Sequence, residues 1–161
     1  MIVIVMGVVG AGKTTVGTLL ASELRWEFAD ADDFHPPCNV EKISHGIPLT
    51  DADREPWLDL LRATILKWIA EGRNVVLACS ALKRSYRAKL HASSGVQFVY
   101  LKGSGPLIAD RLSRRQGHFA GEAILASQLA DLEEPESAIT VEISDTPEQI
   151  VQHIRKALRL E

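Results

Sequence analysis

The sequence predicts a three-layer α/β/α sandwich built around a five-stranded parallel β-sheet. Apolar runs of strand length alternate along the chain with longer helical patterns, which is typical of parallel βαβ units. The first run, Ile2–Met6, is continuous and rich in β-branched residues, as expected of a strand buried on both faces. Because the chain has 161 residues, of which 46% are apolar, we expect residues 1–161 to form a single domain with one core.

The spacing of the apolar residues predicts where each strand and helix lies along the chain. Strand-length runs place the strands at Ile2–Met6, Glu27–Ala29, Asn74–Cys79, Gln97–Leu101 and Ala138–Ile143. Helical spacing places the helices at Thr14–Leu24, Asn39–His45, Asp51–Glu71, Leu82–His91, Pro106–Arg115, Gly121–Leu132 and Pro147–Leu160. The longest helix carries Trp57, Leu61 and Ile65 at core-facing positions. Right-handed crossovers between parallel strands place the loops after the strands at one sheet edge, where ligands bind.

Composition and charge exclude several classes of protein. The net charge of −3 offers no basic face of the kind that nucleic acids bind. The apolar stretch Met1–Val9 is too short to cross a bilayer and has no basic leader, so it predicts neither a membrane anchor nor a signal peptide. Cys38 and Cys79 are too few for a disulfide framework and lack zinc-ligand spacing. We therefore expect a cytoplasmic enzyme with two reduced thiols and no nucleic-acid or membrane partner.

A glycine-rich loop follows the first strand. Residues 7–14, Gly-Val-Val-Gly-Ala-Gly-Lys-Thr, fit the pattern G-x-x-x-x-G-K-[ST] between a buried strand and a helix, the context of a phosphate-binding P-loop. The glycines let backbone N–H groups turn inward around an anion, Lys13 can reach the β- and γ-phosphates of ATP, and Thr14 can bind Mg²⁺. The predicted nucleotide-binding residues here are Gly7, Val8, Val9, Gly10, Ala11, Gly12, Lys13, Thr14 and Thr15. The alternative, a glycine-rich turn with a surface lysine, fits this context less well.

Two carboxylates follow the second strand, at Asp30 and Asp32. Many P-loop ATPases carry their magnesium-side acid after a long buried strand, but here that strand ends in Cys79-Ser80. Asp30 would therefore hold Mg²⁺ together with Thr14, directly or through water. Asp32, two residues further in an extended segment, would point the same way and face the acceptor pocket. The alternative is a solvated acidic loop, which we disfavour because a P-loop lies nearby.

Arginines crowd the end of the helix at Pro106–Arg115. The guanidinium groups of Arg111 and Arg115 match the geometry of phosphate oxygens. The chain has no N-K-x-D guanine motif and no ABC-type signature, which leaves the small-molecule kinases, enzymes that close an arginine-bearing lid over the phosphoryl group. We expect this lid at about 115–127, with Arg115 as its catalytic arginine and Arg111 stacked on the adenine ring. A solvated basic helix end is the alternative.

The segment after the last predicted strand reaches the same sheet edge. Pro147 could close the other side of an adenine slot. Proline is equally common as the first residue of a helix, so the sequence leaves both roles open.

An ordered series of motifs runs nearly the whole length of the chain. They are Met6-Gly7-Val8-x-Gly10-x-Gly12-Lys13, Asp30-x-Asp32, His35-Pro36, Asn39-x-Glu41-Lys42, Gly46-x-Pro48-Leu49-x-Asp51-x-Asp53-Arg54-x-Pro56-Trp57-Leu58, Cys79-Ser80-Ala81-Leu82-Lys83-x-x-Tyr86-Arg87, Tyr100-Leu101-Lys102-Gly103, Arg111-Leu112, Arg115-x-Gly117-His118-Phe119, Ser127-Gln128 and Leu132-Glu133-x-Pro135. In these motifs the chain resembles the gluconate kinases, a branch of the shikimate-kinase-like P-loop kinases. The resemblance implies transfer of the γ-phosphate of ATP to the 6-hydroxyl of D-gluconate, Mg²⁺ dependence and a homodimer. The chain departs from the usual pattern of the family at three places that would shape the acceptor pocket and the lid: Asp33-Phe34, Pro37-Cys38 and Phe119-Ala120-Gly121.

A polyhydroxy acid needs carboxylates that bind its hydroxyls and cations that bind its own carboxylate. Asp32 is the candidate to accept the proton of the attacking hydroxyl, or to orient that hydroxyl. His35 either contacts the acceptor or holds the Pro36 turn through a ring N–H.

Basic residues elsewhere could bind the acceptor's carboxylate. Arg54 either pairs with Asp53 or reaches the substrate. Lys83 and Arg87, four residues apart on one predicted helix face, would form one positive patch that either binds the acceptor or is solvated. The predicted acceptor-binding residues are Asp32, His35, Arg54, Lys83, Arg87 and Gln128.

Two other functions stay open at this point. A kinase for shikimate would normally carry Gly-Gly-Gly after its third strand, where this chain has Cys79-Ser80-Ala81, and a nucleotide acceptor would want a larger insert. A nucleotide-dependent switch lies outside enzymology, and a fold alone does not exclude it. The missing carboxylate after the third strand and the lack of an extra domain count against a switch.

Overall fold

A five-stranded, wholly parallel sheet forms the centre of the molecule, as the sequence predicts. The computed structural model describes residues 1–114 and 119–160, and for residues 119–121 the backbone only. The strands are β1 (Ile2–Met6), β2 (Glu27–Asp30), β3 (Val75–Ala78), β4 (Val96–Lys102) and β5 (Ile139–Glu142). Their order across the sheet is β2-β3-β1-β4-β5, which makes β1 the central strand.

Helices cover both faces of this sheet. They are α1 (Lys13–Leu24), α2 (Pro37–Ser44), α3 (Asp51–Ala70), α4 (Arg84–Leu90), α5 (Gly105–Ser113), α6 (Phe119–Asp131) and α7 (Pro147–Leu158), and a short 3-10 helix, Ala31–Phe34, follows β2. Helix α4 begins at Arg84 rather than Leu82 because its N-cap, Lys83, has an extended backbone with φ −98° and ψ 149°. Helix α3 is capped by Thr50, which exchanges hydrogen bonds with Asp53 in a capping box.

The core lies on both sides of β1, whose five residues are all fully buried. Alternate side chains point to opposite faces, as in any strand. Val3 and Val5 pack on the face that α1, α5, α6 and α7 cover. Ile2, Ile4 and Met6 pack on the other face, against apolar residues of α3 and α4. The continuous apolar run of β1 therefore follows from its burial on two sides.

The carboxyl ends of β1, β2 and β3 meet at one edge of the sheet. The P-loop follows β1 there, and the acidic 3-10 helix follows β2. Although β3 lies between β1 and β2, all three parallel strands end at this edge, as expected for a ligand-binding edge. In the described part of the chain, no helix is both long and apolar enough to cross a membrane.

Candidate active site

The loop between β1 and α1 has the backbone of an anion-binding P-loop. Gly10 and Gly12 adopt φ angles of +82° and +98°, which side-chain-bearing residues rarely adopt. A Cβ on Gly10 would also lie 2.8 Å from Cγ of Leu112, so α5 packs directly on the loop. Gly12 is the N-cap of α1 and provides no side-chain hydrogen bond, which leaves the first N–H groups of the helix available to a phosphate.

Side chains from two elements contact the loop. Lys13 donates from Nζ to the carbonyl oxygens of Gly7 and Val8, each at 3.0 Å, which places its ammonium group beside the loop. Gln128 of α6 accepts through Oε1 from the N–H of Val9 at 2.7 Å. Gln128, predicted to bind the acceptor, thus joins α6 to the P-loop in this structure.

Thr14 and Asp30 offer hard oxygen ligands beside the loop. The Thr14 hydroxyl lies 3.5 Å from Oδ2 of Asp30, whose Oδ1 accepts from the N–H of Asp32 at 2.9 Å. Within the described residues, no group of three or more His, Cys, Asp or Glu side chains could hold a metal ion. One hydroxyl and one carboxylate suit Mg²⁺, which commonly takes its remaining ligands from nucleotide phosphates and water. The pair therefore fits the predicted role.

A cavity of about 250 Å³ brings most of the predicted site together. Its lining includes Val9, Gly10, Gly12, Lys13, Thr14, Thr15, Asp30, Asp32, His35, Arg54, Trp57, Ser80, Ser127 and Gln128. The phosphate loop, the two acids and a basic group thus share one concave surface. This is the arrangement that transfer between two bound molecules requires.

Asp32 carries its carboxylate into this cavity. Its side chain is 78% accessible and lines the cavity. Partial loss of water around the group, together with the negative charges of Asp30 and Asp33, raises the pKa of Asp32. A raised pKa makes this carboxylate a better proton acceptor.

His35 is held rigidly beside Asp32. Its ring stacks on Trp57 with centroids 4.2 Å apart, and the Trp57 indole N–H donates to the carbonyl of Ala31 at 2.7 Å. Burial and the nearby positive charge of Arg54 lower the pKa of His35 to about 4. The ring is therefore neutral at physiological pH, and it lies among the cavity-lining residues.

Arg54 is a buried cation in the wall of the cavity. Its Nη1 donates to the hydroxyl of Tyr86 at 3.0 Å and to Oδ2 of Asp131 at 3.1 Å. Asp53, the partner considered from sequence, instead pairs with Lys42 at 2.8 Å. Arg54 therefore does not pair with Asp53, and because it lines the cavity its contact with the substrate stays a prediction.

Lys83 and Arg87 do not form the single positive patch that the sequence predicts. Lys83 precedes α4 as its N-cap and pairs with Asp51 at 2.9 Å. Arg87 is buried, and its guanidinium donates to three backbone carbonyl oxygens at 2.7 to 3.0 Å. The two cations separate because the Lys83 side chain pairs with Asp51, whereas the Arg87 side chain is buried against backbone carbonyls. A role for either residue in acceptor binding remains a prediction.

The residues predicted to flank adenine lie near the end of β5. Arg111 donates from Nη2 to the carbonyl of Ile143 at 2.6 Å. Pro147 is the first residue of α7, after its N-cap Thr146, which is the simpler of its two predicted roles. Contact of Arg111 and Pro147 with adenine stays a prediction.

Comparison with known proteins shows the family to which the chain belongs. Residues 9–159 match the family profile described as shikimate kinase. The chain is 46% identical to a gluconokinase of Gluconobacter oxydans (strain 621H), over 98% of this chain and 91% of that protein. The chain belongs to the gluconokinase branch of this family.

Two solved structures are similar along nearly the whole chain. A gluconokinase from Sinorhizobium meliloti 1021 has a TM-score of 0.86 and 41% identity, covering 98% of this chain and 90% of that one. A sugar kinase from Janibacter sp. HTCC2649 has a TM-score of 0.91 and 42% identity, covering 99% and 94%. The family resemblance and the α/β fold predicted from the sequence are thus confirmed.

The predicted lid of this gluconokinase-family chain lies partly outside the described residues. Arg115 and the segment 115–118 are not described, so its role as the catalytic arginine stays a prediction. Residues 119–127 form the first part of α6, which reaches the P-loop through Gln128.

Sequence reasoning missed three residues that shape the site. Asn39 contacts His35, while Tyr86 and Asp131 hold Arg54. Asn39 and Tyr86 stand within the motifs shared with the family, yet no role was assigned to them. The spacing of His35 and Asn39, four residues apart at the start of a helix, was an available signal. Asp131 offered no such signal, because its contact with Arg54 spans 77 residues.

Proposed function

We propose that this chain transfers the γ-phosphoryl group of ATP to the 6-hydroxyl of D-gluconate, giving 6-phosphogluconate and ADP. The observation that carries the proposal is one cavity lined by the P-loop, by Asp32 and by the buried cation Arg54. A polyhydroxy acid carries hydroxyls, which Asp32 would bind, and a carboxylate, which Arg54 would bind. The names of the similar proteins, gluconokinase in two organisms, support the choice of acceptor.

The nucleotide end of the cavity binds and neutralises phosphate. Backbone N–H groups of the loop and the first turn of α1 donate to phosphate oxygens, and Lys13 places a positive charge beside them. Thr14 and Asp30 would hold Mg²⁺, which neutralises charge on the phosphates when it is bound. The proposed Arg115 would add a further cation from the lid.

The acceptor end orients one hydroxyl for in-line attack. Its oxygen forms the new bond to the γ-phosphorus while the bond from that phosphorus to the ADP oxygen breaks. Asp32 takes the proton that the hydroxyl loses, and Arg54 binds the acceptor's carboxylate. The residues therefore act by positioning and by charge, with little covalent chemistry of their own.

The proposal is tested by ADP release from Mg-ATP with D-gluconate, other aldonic acids, shikimate, glucose, AMP and no acceptor. Fast release with D-gluconate alone, and a product with phosphate on the 6-oxygen by phosphorus NMR, are expected. ADP release with shikimate only would show that the acceptor is shikimate rather than D-gluconate. ADP release without any acceptor would favour a nucleotide-dependent switch. A homodimer, which the family resemblance implies, and a cytoplasmic location, which the composition predicts, are proposed with it.

A further inference from the structure

The orientation of the Asn39 side-chain amide is determined by a backbone group. Asn39 is 1% exposed, and its Nδ2 lies 2.8 Å from the carbonyl oxygen of Asp53. A carbonyl oxygen can only accept a hydrogen bond, so the amide must present its NH₂ group on this side. The reverse orientation would leave two oxygen acceptors facing each other in a buried place, which is costly.

The same NH₂ group fixes the proton on His35. Nδ2 of Asn39 also lies 3.2 Å from Nδ1 of His35, and a donor there requires that Nδ1 be the accepting, unprotonated nitrogen. The ring is 4% exposed and neutral, since burial and Arg54 lower its pKa to about 4. A neutral imidazole carries a single proton, and that proton must therefore be on Nε2.

The Nε2–H of His35 is available beside the carboxylate of Asp32. Nε2 lies 3.8 Å from Oδ1 of Asp32, which is longer than a hydrogen bond, and both residues line the cavity. An oxygen placed about 2.8 Å from each atom satisfies both at normal hydrogen-bond length. A hydroxyl fits this position, because it accepts from Nε2–H and donates its own proton to the carboxylate.

We propose that Asn39, His35 and Asp32 form a relay that recognises the acceptor's 5-hydroxyl, the neighbour of the hydroxyl that is phosphorylated. Asn39 is a positioning residue that keeps His35 in the Nε2–H form, and His35 with Oδ1 of Asp32 binds the 5-hydroxyl. The other oxygen of Asp32 then remains for the reacting 6-hydroxyl. The proposal rests on the proposed function for the identity of the acceptor.

The tautomer is tested in the free protein by proton–nitrogen correlation NMR of the histidine rings at pH 7. We expect His35 to carry its proton on Nε2 in the wild type. In Asn39→Leu, which removes the donor to Nδ1, the two tautomers should become mixed. A charged ring, or a proton on Nδ1 in the wild type, would overturn the relay whatever the acceptor is.

The hydroxyl is tested by steady-state kinetics. His35→Leu should raise the KM for D-gluconate about 10-fold or more while the KM for ATP stays within about twofold. His35→Gln, whose amide keeps a donor near the position of Nε2, should recover most of the loss. With an analogue lacking the 5-hydroxyl, wild type and His35→Leu should become equal.

The outcomes separate the relay from the proposed function. If wild type turns over D-gluconate and His35→Leu has the same KM, or if the analogue keeps the difference between the two proteins, the relay is wrong and the function stands. If wild type does not turn over D-gluconate, the proposed function fails and the assignment of the 5-hydroxyl fails with it. Thermal unfolding of each variant verifies that it is folded.

Discussion

Arg54 and Asp131 join the first turn of α3 to the last residue of α6 through a 3.1 Å contact between Nη1 and Oδ2. The side chains are 8% and 26% exposed, so this charge pair is largely shielded from water. Helix α6 also reaches the P-loop through Gln128. Helix α6, which follows the predicted lid arginine Arg115 in the chain, thus contacts both the P-loop and Arg54 in the wall of the active-site cavity.

Removing Asp131 should destabilise the protein. Asp131→Ala leaves the buried guanidinium of Arg54 without its anionic partner, and we expect the free energy of unfolding to fall by about 2 kcal/mol. Urea denaturation measures this loss. Asp110→Ala is the matched control, because its partner Arg114 is exposed, and it should change stability by less than about 0.5 kcal/mol. Equal effects of the two variants would show that the Arg54 pair contributes no more than a surface ion pair.

Lys13→Ala should abolish turnover while the fold survives. The variant loses the charge beside the phosphate loop, and we expect kcat/KM to fall by about 1,000-fold or more. Lys67→Ala, which removes an exposed lysine of α3, is the control and should retain wild-type activity. Turnover of Lys13→Ala within a few-fold of wild type would remove the proposed role of the P-loop lysine.

Asp32→Asn should stop transfer without releasing the nucleotide. The amide cannot take a proton from the acceptor, so kcat should fall by about 100-fold or more, while the affinity for Mg-ATP measured by calorimetry changes little. Asp33→Asn, at the neighbouring exposed carboxylate, should keep most of the activity. A large loss of Mg-ATP affinity in Asp32→Asn would instead assign Asp32 to the metal.

Two glycines of the P-loop should differ in their tolerance of a methyl group. Both Gly10→Ala and Gly12→Ala face a strained backbone, at about 1–2 kcal/mol each. Only Gly10→Ala also places a Cβ against Leu112, whereas a Cβ at Gly12 would meet no atom within 4 Å. We therefore expect Gly10→Ala to be less stable than Gly12→Ala by about 1 kcal/mol or more in thermal unfolding. The reverse order would contradict the packing of α5 on the loop.

Stability should depend on pH through His35. Its pKa is about 4 in the folded protein and 6.5 as the ordinary value, so below pH 6.5 the unfolded chain binds a proton that the native ring does not. The stabilisation from the neutral ring is therefore complete above pH 6.5 and is lost as the pH falls towards 4. The full loss is about 3 kcal/mol. Urea denaturation of wild type and His35→Gln across this range should give curves that converge by this amount. Parallel curves would show that His35 titrates normally.

The sequence by itself determined the fold class and the phosphate-binding end of the site. The alternation of apolar runs predicts the parallel sheet because each run is buried on both faces, as β1 is. Residues 7–14 predict the P-loop because its glycines, lysine and threonine act within one short segment. Asp30 and Asp32 stand at the carboxyl end of β2 in the same sheet, and its parallel topology brings them to that edge.

Only the tertiary structure decided what the basic residues and His35 contact. Arg54 is held by Tyr86 and Asp131, which lie 32 and 77 residues away, and no local spacing reports such contacts. Arg87 was predicted from sequence to bind the acceptor, yet in the structure its guanidinium donates to the backbone carbonyls of Ala81 and Glu133. The proton position on His35 follows from Asn39 and a backbone carbonyl on α3. Motifs describe groups that act within one segment, whereas hydrogen bonding in a cavity depends on groups that folding brings together from distant segments.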